Sequence, residues 1–176
     1  MIMNYPPYQI FPTLTTNEII LRQVTAADAD EIKEISYYNG IQANDPNEAI
    51  EMQKRIDQDY QQGNSIHWAI IDVQSSKLVG TCGYYRDFIN DTGELGYILK
   101  PSFEGKGYMT SALKKVIEFG INAIELRRII AITELGNIRS QNILKSLNFS
   151  REAEQDNYIT YTLSGTQYNN SNLVEG

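Results

Sequence analysis

A strand-patterned run at residues 94–100 passes through Pro101 and Gly105-Lys106-Gly107 into a helix-patterned run that ends near 122. Residues 128–133 then resume the strand pattern. A strand, a crossover helix and a second strand in one sheet must run parallel, because the helix carries the chain back to the starting edge. Two further strand-patterned runs, 66–73 and 77–86, precede the first. They are joined to it and to each other by the turn clusters Ser75-Ser76 and Asn90-Asp91-Thr92-Gly93. Connections that short permit only antiparallel neighbours. The chain must therefore build a mixed sheet, with a meander on one side of a parallel pair.

The flanking segments complete this plan. Residues 18–24 (EIILRQV) read as a first strand, and Thr25-Ala26-Ala27-Asp28 resembles a capping box that opens a helix carrying Ala29, Ile32 and Ile35. Asp45 followed by Pro46 marks a second helix start. Its inner face would be Ala49, Met52, Ile56 and Tyr60, and Gly63 closes it. The long helix buries Met109, Ala112, Leu113, Val116, Ile117 and Phe119; residues 137–147 form another helix, and 149–154 and 157–163 two last strands. The expected domain spans residues 18–164, after an N-terminal extension, 1–17, and before a polar, disordered tail, 165–176.

Charge narrows the function classes. With 15 Lys+Arg against 22 Asp+Glu the net charge is −7, which disfavours a partner held through its phosphate backbone, so no nucleic acid is expected. Excess acid suits a basic substrate. The single cysteine, Cys82, excludes an intrachain disulfide and a cysteine zinc site, and the single histidine, His67, excludes a histidine cluster, so no metal is expected. The N-terminal residues carry no basic segment followed by an apolar run, and no stretch has the length of a membrane span. A cytoplasmic protein without a membrane partner, monomeric or homodimeric, is the expectation.

The chemistry concentrates at Gly105-Lys106-Gly107. Glycines allow positive φ and a close approach of backbone to ligand, the first-turn N–H groups of the helix point outward, and Lys106 adds a positive charge. A phosphate or diphosphate is the natural guest. The segment is not a Walker loop, since Gly107 is followed by Tyr108, and not a dinucleotide fingerprint, since Thr110 stands where a third glycine is needed.

The run Tyr97-Ile98-Leu99-Lys100-Pro101-Ser102-Phe103-Glu104-Gly105-Lys106-Gly107-Tyr108-Met109-Thr110 resembles the acetyl-CoA-binding segment of the GCN5-related N-acetyltransferases (GNAT), in the manner of the RimJ/RimL-type ribosomal-protein branch. A second block is similar too: residues 128–133, then Asn137-Ile138-Arg139-Ser140, then 144–149. A weaker third covers 68–71 and 78–83. The likeness implies an α/β (α+β) GNAT-like single domain. Its central sheet would be mixed and mostly antiparallel, of about seven strands with helices on both faces, in the order β-α-α-β-β-β-α-β-α-β-β. It implies acetyl-CoA as cosubstrate, with the N–H groups of Gly105, Lys106, Gly107, Tyr108, Met109 and Thr110 on its diphosphate. Ile98 and Leu99 would pair with its pantetheine arm, and Asn137 would hydrogen-bond that arm. The chain departs from the wider family's pattern at Ser102 and Leu144 and from the branch pattern at Glu104, Ser111 and Asn148.

The resemblance further implies direct acetyl transfer to a primary amine. Glu94 would be the base that removes the amine's proton, and Ser140 would assist the leaving thiolate, since the tyrosine used by many members is Leu144 here. Tyr37, Tyr38, Tyr84 and Tyr85 are candidates for the acceptor groove, His67 reads as a strand-face residue, and Cys82 as an inert core thiol. The favoured acceptor is a protein N-terminal α-amine. A small-molecule amine (amino acid, polyamine or antibiotic) and a non-catalytic acyl-CoA-binding module are the alternatives.

Overall fold

The computed structural model describes residues 4–38 and 40–174 and, at the C-terminal end, the side chains through 170. The ends of both proposed tails, 1–3 and 175–176, lie outside the described residues. In chain order the elements are β1 (Leu14–Thr15), β2 (Ile19–Arg22), α1 (Ala29–Ile32), β3 (Tyr37–Tyr38), β4 (Ile41–Gln42), α2 (Pro46–Gln61), β5 (Ile66–Asp72), β6 (Leu78–Tyr85) and β7 (Thr92–Leu99). They continue with α3 (Tyr108–Asn122), β8 (Arg128–Glu134), α4 (Ile138–Ser146), β9 (Ser150–Gln155), β10 (Tyr158–Ser164) and α5 (Gly165–Val174).

Eight strands form one sheet in the order β1-β2-β5-β6-β7-β8-β10-β9. The meander β5-β6-β7 is antiparallel, and β8, reached through α3, lies parallel to β7. The sheet is one strand larger than expected because the two-residue β1 pairs with β2. Tyr37 and Tyr38 belong to a separate two-stranded ribbon with Ile41 and Gln42 rather than to a helix end, Gly40 turning between them at φ +79°.

Alternation along the strands divides the core between the two faces. Trp68, Cys82, Tyr84 and Leu95 pack with Met109, Leu113 and Val116 of α3 and with Leu144 of α4. Ala69, Ile71 and Leu78 meet Ile32, Ile35 and Ala49 from the α1–α2 side. Two devices of the sequence set the α1–α2 layer. Asp28 accepts from the Thr25 N–H at 2.8 Å and forms two hydrogen bonds with Arg22, at 2.7 and 2.8 Å, and Asp45 caps α2 by accepting from the Glu48 N–H at 2.9 Å.

The described part of the extension is packed against the domain. Tyr5, Tyr8 and Phe11 lie on the core, and the Trp68 indole N–H donates to the Pro12 carbonyl at 2.7 Å. Gly165–Val174 is helical where the sequence reads as a polar tail, and Tyr168 packs against the core. No helix among the described residues is long and apolar enough to cross a membrane.

Candidate active site

The parallel ladder between β7 and β8 is short. It joins Thr92 to Arg128, Gly93 to Ile129 and Glu94 to Ile130, and goes no further, although both strands continue. Beyond Glu94 the two strands diverge, which leaves the β8-facing edge of residues 95–99 without strand partners. Two cavities meet at this wedge, of about 680 and 610 Å³, and they share Tyr97, Ile98, Asn137 and Ser140.

The smaller cavity lies between the glycine loop and the start of α4. Gly105 and Gly107 have φ of +74° and +82°, and a Cβ at either would meet nothing within 4 Å. These glycines are required for their backbone conformation, not for packing, since L-residues adopt it at a cost of roughly 1–2 kcal/mol. Gly107 is the N-cap of α3 and has no side chain to offer, so the N–H groups of Tyr108, Met109 and Thr110 remain open toward the cavity they line. Lys106 extends over the Phe103 ring at 5.2 Å. Glu104, a charge unsuited to an anion site, is matched by Arg139 from the first turn of α4, and both side chains line this cavity. The sequence reading did not single out Arg139.

At the junction, the Ser140 hydroxyl and the Tyr97 hydroxyl are 2.7 Å apart. Burial pushes the Tyr97 phenol up to about 12, the bond to Ser140 acting in the opposite sense. Tyr97, at the head of the glycine-loop segment, is thus the partner of the proposed acid. Asn137 caps α4, its Oδ1 accepting from the Ser140 N–H at 3.0 Å, so its amide NH₂ is the part left for a ligand. Leu144 is fully buried and has no place in the site.

The larger cavity lies under α1 and α2. Tyr37, Tyr85, Tyr158, His67, Arg86 and Glu134 are among its walls. Tyr84 is turned into the core instead, donating to the Val116 carbonyl at 3.0 Å. Cys82 is buried, and burial pushes its thiol up, as suits an inert core residue. Glu94, the candidate base, does not line either cavity. Its carboxylate accepts from Arg86 at 2.8 Å. Glu94 pairs with Tyr85 in the β6–β7 ladder, and Arg86 reaches it from the position that follows β6.

Known proteins share this fold. The family model described as an acetyltransferase (GNAT) domain matches residues 18–150. The chain is similar to an uncharacterized N-acetyltransferase of Bacillus subtilis, YoaA, at 30% identity over 167 residues, covering 90% of this chain and 93% of that protein. In fold it is similar to a ribosomal-protein-S5-alanine acetyltransferase from Vibrio fischeri (TM-score 0.76, 19% identity, 89% of this chain and 98% of that one). It is similar also to a dodecameric spermidine N-acetyltransferase from Vibrio cholerae (TM-score 0.74, 15% identity, 89% and 99%).

Proposed function

The chain belongs to the GNAT acetyltransferase family, and from that premise we propose that it transfers an acetyl group from acetyl-CoA directly to a primary amine, the α-amine of a protein N-terminus. The observation that carries this reading is the wedge after Glu94 and Ile130, with an anion-ready helix start on one side and an aromatic-walled cavity on the other.

The residues present fit acetyl-CoA. The open N–H groups at Gly105–Thr110 and the Lys106 ammonium suit a diphosphate. The unpaired edge at Ile98 and Leu99 offers backbone groups to the amides of pantetheine, in the way an extended ligand adds to a sheet, and the Asn137 NH₂ lies beside that path. Glu104 and Arg139 neutralise each other there, so the carboxylate need not repel the diphosphate. When bound, acetyl-CoA supplies the activated acyl carbonyl. The chain's own groups do the rest: Ser140, backed by Tyr97, donates a proton toward the departing sulfur, and Glu94 acts as a positioning residue by holding Arg86 on the cavity wall.

An α-amine has a reference pKa of about 7.7–8.0, against about 10.4 for a lysine ammonium, so far more of it is neutral at physiological pH. The protein with the Vibrio fischeri structure is named for such an acceptor. A polyamine is the second reading, favoured by Glu134, which lines the cavity and has no cation partner among the described residues. The cytoplasm, where a single free thiol stays reduced, is the proposed location.

The test is thiol release from acetyl-CoA with four probes: an alanine-initiated hexapeptide, a serine-initiated one, an N-terminally blocked lysine peptide, and spermidine. The expected result is release with the free N-termini and little with the blocked lysine peptide. Release with spermidine alone would replace the acceptor, and release with none would contradict acetyl transfer to these amines.

A further inference from the structure

A third cavity, of about 290 Å³, adjoins the larger one and has no part in the reaction above. The two share Tyr37, Ile56, Tyr85 and Arg86. Its other walls include Asp59 of α2, Ser65 just before β5 and Asp87 in the turn after β6. Ser65 is 3% exposed, and its hydroxyl is the one buried side-chain polar atom among the described residues without a hydrogen-bond partner. Buried polar groups are nearly always satisfied, so a hydroxyl left over on a cavity wall points to a guest that hydrogen-bonds to it.

The charges on these walls fix the sign of that guest. Neither Asp59 nor Asp87 has a cation partner among the described residues, and the Asp59 carboxylate accepts there only from the Tyr38 hydroxyl, at 3.5 Å. Arg86, the cation on the shared wall, is held by Glu94 at 2.8 Å, and Arg55 lies over the Tyr38 ring at 5.5 Å. The backbone ties the three segments together. The Asp87 N–H donates to the Asn64 carbonyl at 2.9 Å, and the Asn64 N–H donates to the Asp59 carbonyl at 2.9 Å. Two unpaired carboxylates and a spare hydroxyl are thus gathered on a fixed frame, and the rings of Tyr37 and Tyr85 suit the aliphatic stem of a long cationic side chain.

We propose that this cavity is a subsite for a second positive charge on the acceptor: an ammonium group that donates to Asp59, Asp87 and the Ser65 hydroxyl while the amine to be acetylated lies in the wedge. An ammonium has three N–H donors and no acceptor, which matches two carboxylates and a hydroxyl. The inference rests on the acetyl-transfer reading above and narrows its acceptor to one with two cationic groups. Tyr85, on the shared wall, pairs with Glu94, the residue at which the wedge opens. The subsite therefore begins about one strand spacing, roughly 4.8 Å, to the side of the wedge. An extended peptide advances about 3.3–3.6 Å per residue, which brings the side chain of its second, third or fourth residue over Tyr85 when the first is at the wedge. A lysine there supplies the ammonium of a protein acceptor, and the distal amine of a polyamine supplies the same group in a small one.

The test measures thiol release from acetyl-CoA with alanine-initiated hexapeptides that carry lysine at position 2, 3 or 4, each against the same peptide with glutamine there, and with spermidine. Mass spectrometry of the products places the acetyl group on the α-amine. One lysine peptide should exceed its glutamine control in kcat/KM by on the order of tenfold, the weight of one hydrogen-bonded charge, and should do so through KM. In Asp59→Asn/Asp87→Asn that ratio should fall toward one, and Ser65→Ala should lower it. The ratio compares two substrates on one preparation, so partial loss of folded protein does not change it. If the double variant does not fold, Asp87→Asn alone decides, since Asp87 is exposed with φ +57°, a conformation asparagine also adopts. Turnover of spermidine that is lost in the same variants supports the subsite and gives its charge to a polyamine. A lysine preference that survives the variants, or lysine ratios near one with spermidine inert or indifferent to them, overturns the subsite and leaves acetyl transfer standing. No thiol release by wild type with any of these amines overturns both.

Discussion

Removing either hydroxyl of the Ser140–Tyr97 pair lowers kcat on the order of 10²-fold, the usual weight of one positioned proton donor. The leaving thiol has a reference pKa near 8.5, so its departure is eased by a group that holds a proton at neutral pH. The Tyr97 phenol, pushed up to about 12 by burial, does so, and at 2.7 Å it can restore the proton that Ser140 gives away. Ser140→Ala, Tyr97→Phe and the double variant are compared by kcat and by the KM for acetyl-CoA. The double variant should cost little more than the worse single one, since residues that act as a unit are not additive. KM should change little, because neither hydroxyl holds the diphosphate. Fully additive losses would mean two independent contributions and would remove the relay. An unchanged kcat in Ser140→Ala would remove the acid role altogether.

The largest effect on stability is expected at Trp68. Its side chain is fully buried at the middle of β5, meets Phe119 of α3 edge-on at 5.4 Å and Phe11 at 6.0 Å, and donates to the Pro12 carbonyl. It therefore joins three parts of the molecule: the N-terminal segment, the sheet and α3. Trp68→Ala leaves a cavity and an orphaned carbonyl, with a cost of about 3–5 kcal/mol. For a domain of this size that lowers Tm by roughly 6–20 °C in a thermal melt. Trp68→Phe keeps much of the volume and should cost less than the alanine variant. A fall under about 3 °C for alanine would show that the segment before β2 contributes little to the core.

Much of the fold can be read from the residues because its devices are local. The Asp45–Pro46 cap, the turns of the meander and the helix between β7 and β8 each announce themselves within a few positions. The ribbon at Tyr37 and Ile41 and the pairing of Leu14 with Leu21 do not, because two-residue strands carry no periodicity. Gly165–Val174 escapes for another reason: its polar run lacks an apolar stripe, and its helix is tied down by Tyr168 and by the Gly165 N–H donating to the Arg127 carbonyl at 2.9 Å. At the site, the glycine loop is legible because only glycine takes positive φ freely. The contacts that complete it are not. Tyr97 meets Ser140 across 43 positions, and Arg139 meets Glu104 from another element.

The central claim is that the wedge beside Gly105–Thr110 holds acetyl-CoA, and thermal unfolding with and without it tests that claim most directly. At about 100 times Kd a ligand stabilises by roughly 2.7 kcal/mol, or about 5–10 °C for a chain of this size. The account predicts that shift with acetyl-CoA and with CoA, none with ATP, and its loss in Gly107→Val, where a β-branched residue cannot hold φ at +82°. No shift at millimolar acetyl-CoA, or an equal shift with ATP, would contradict it.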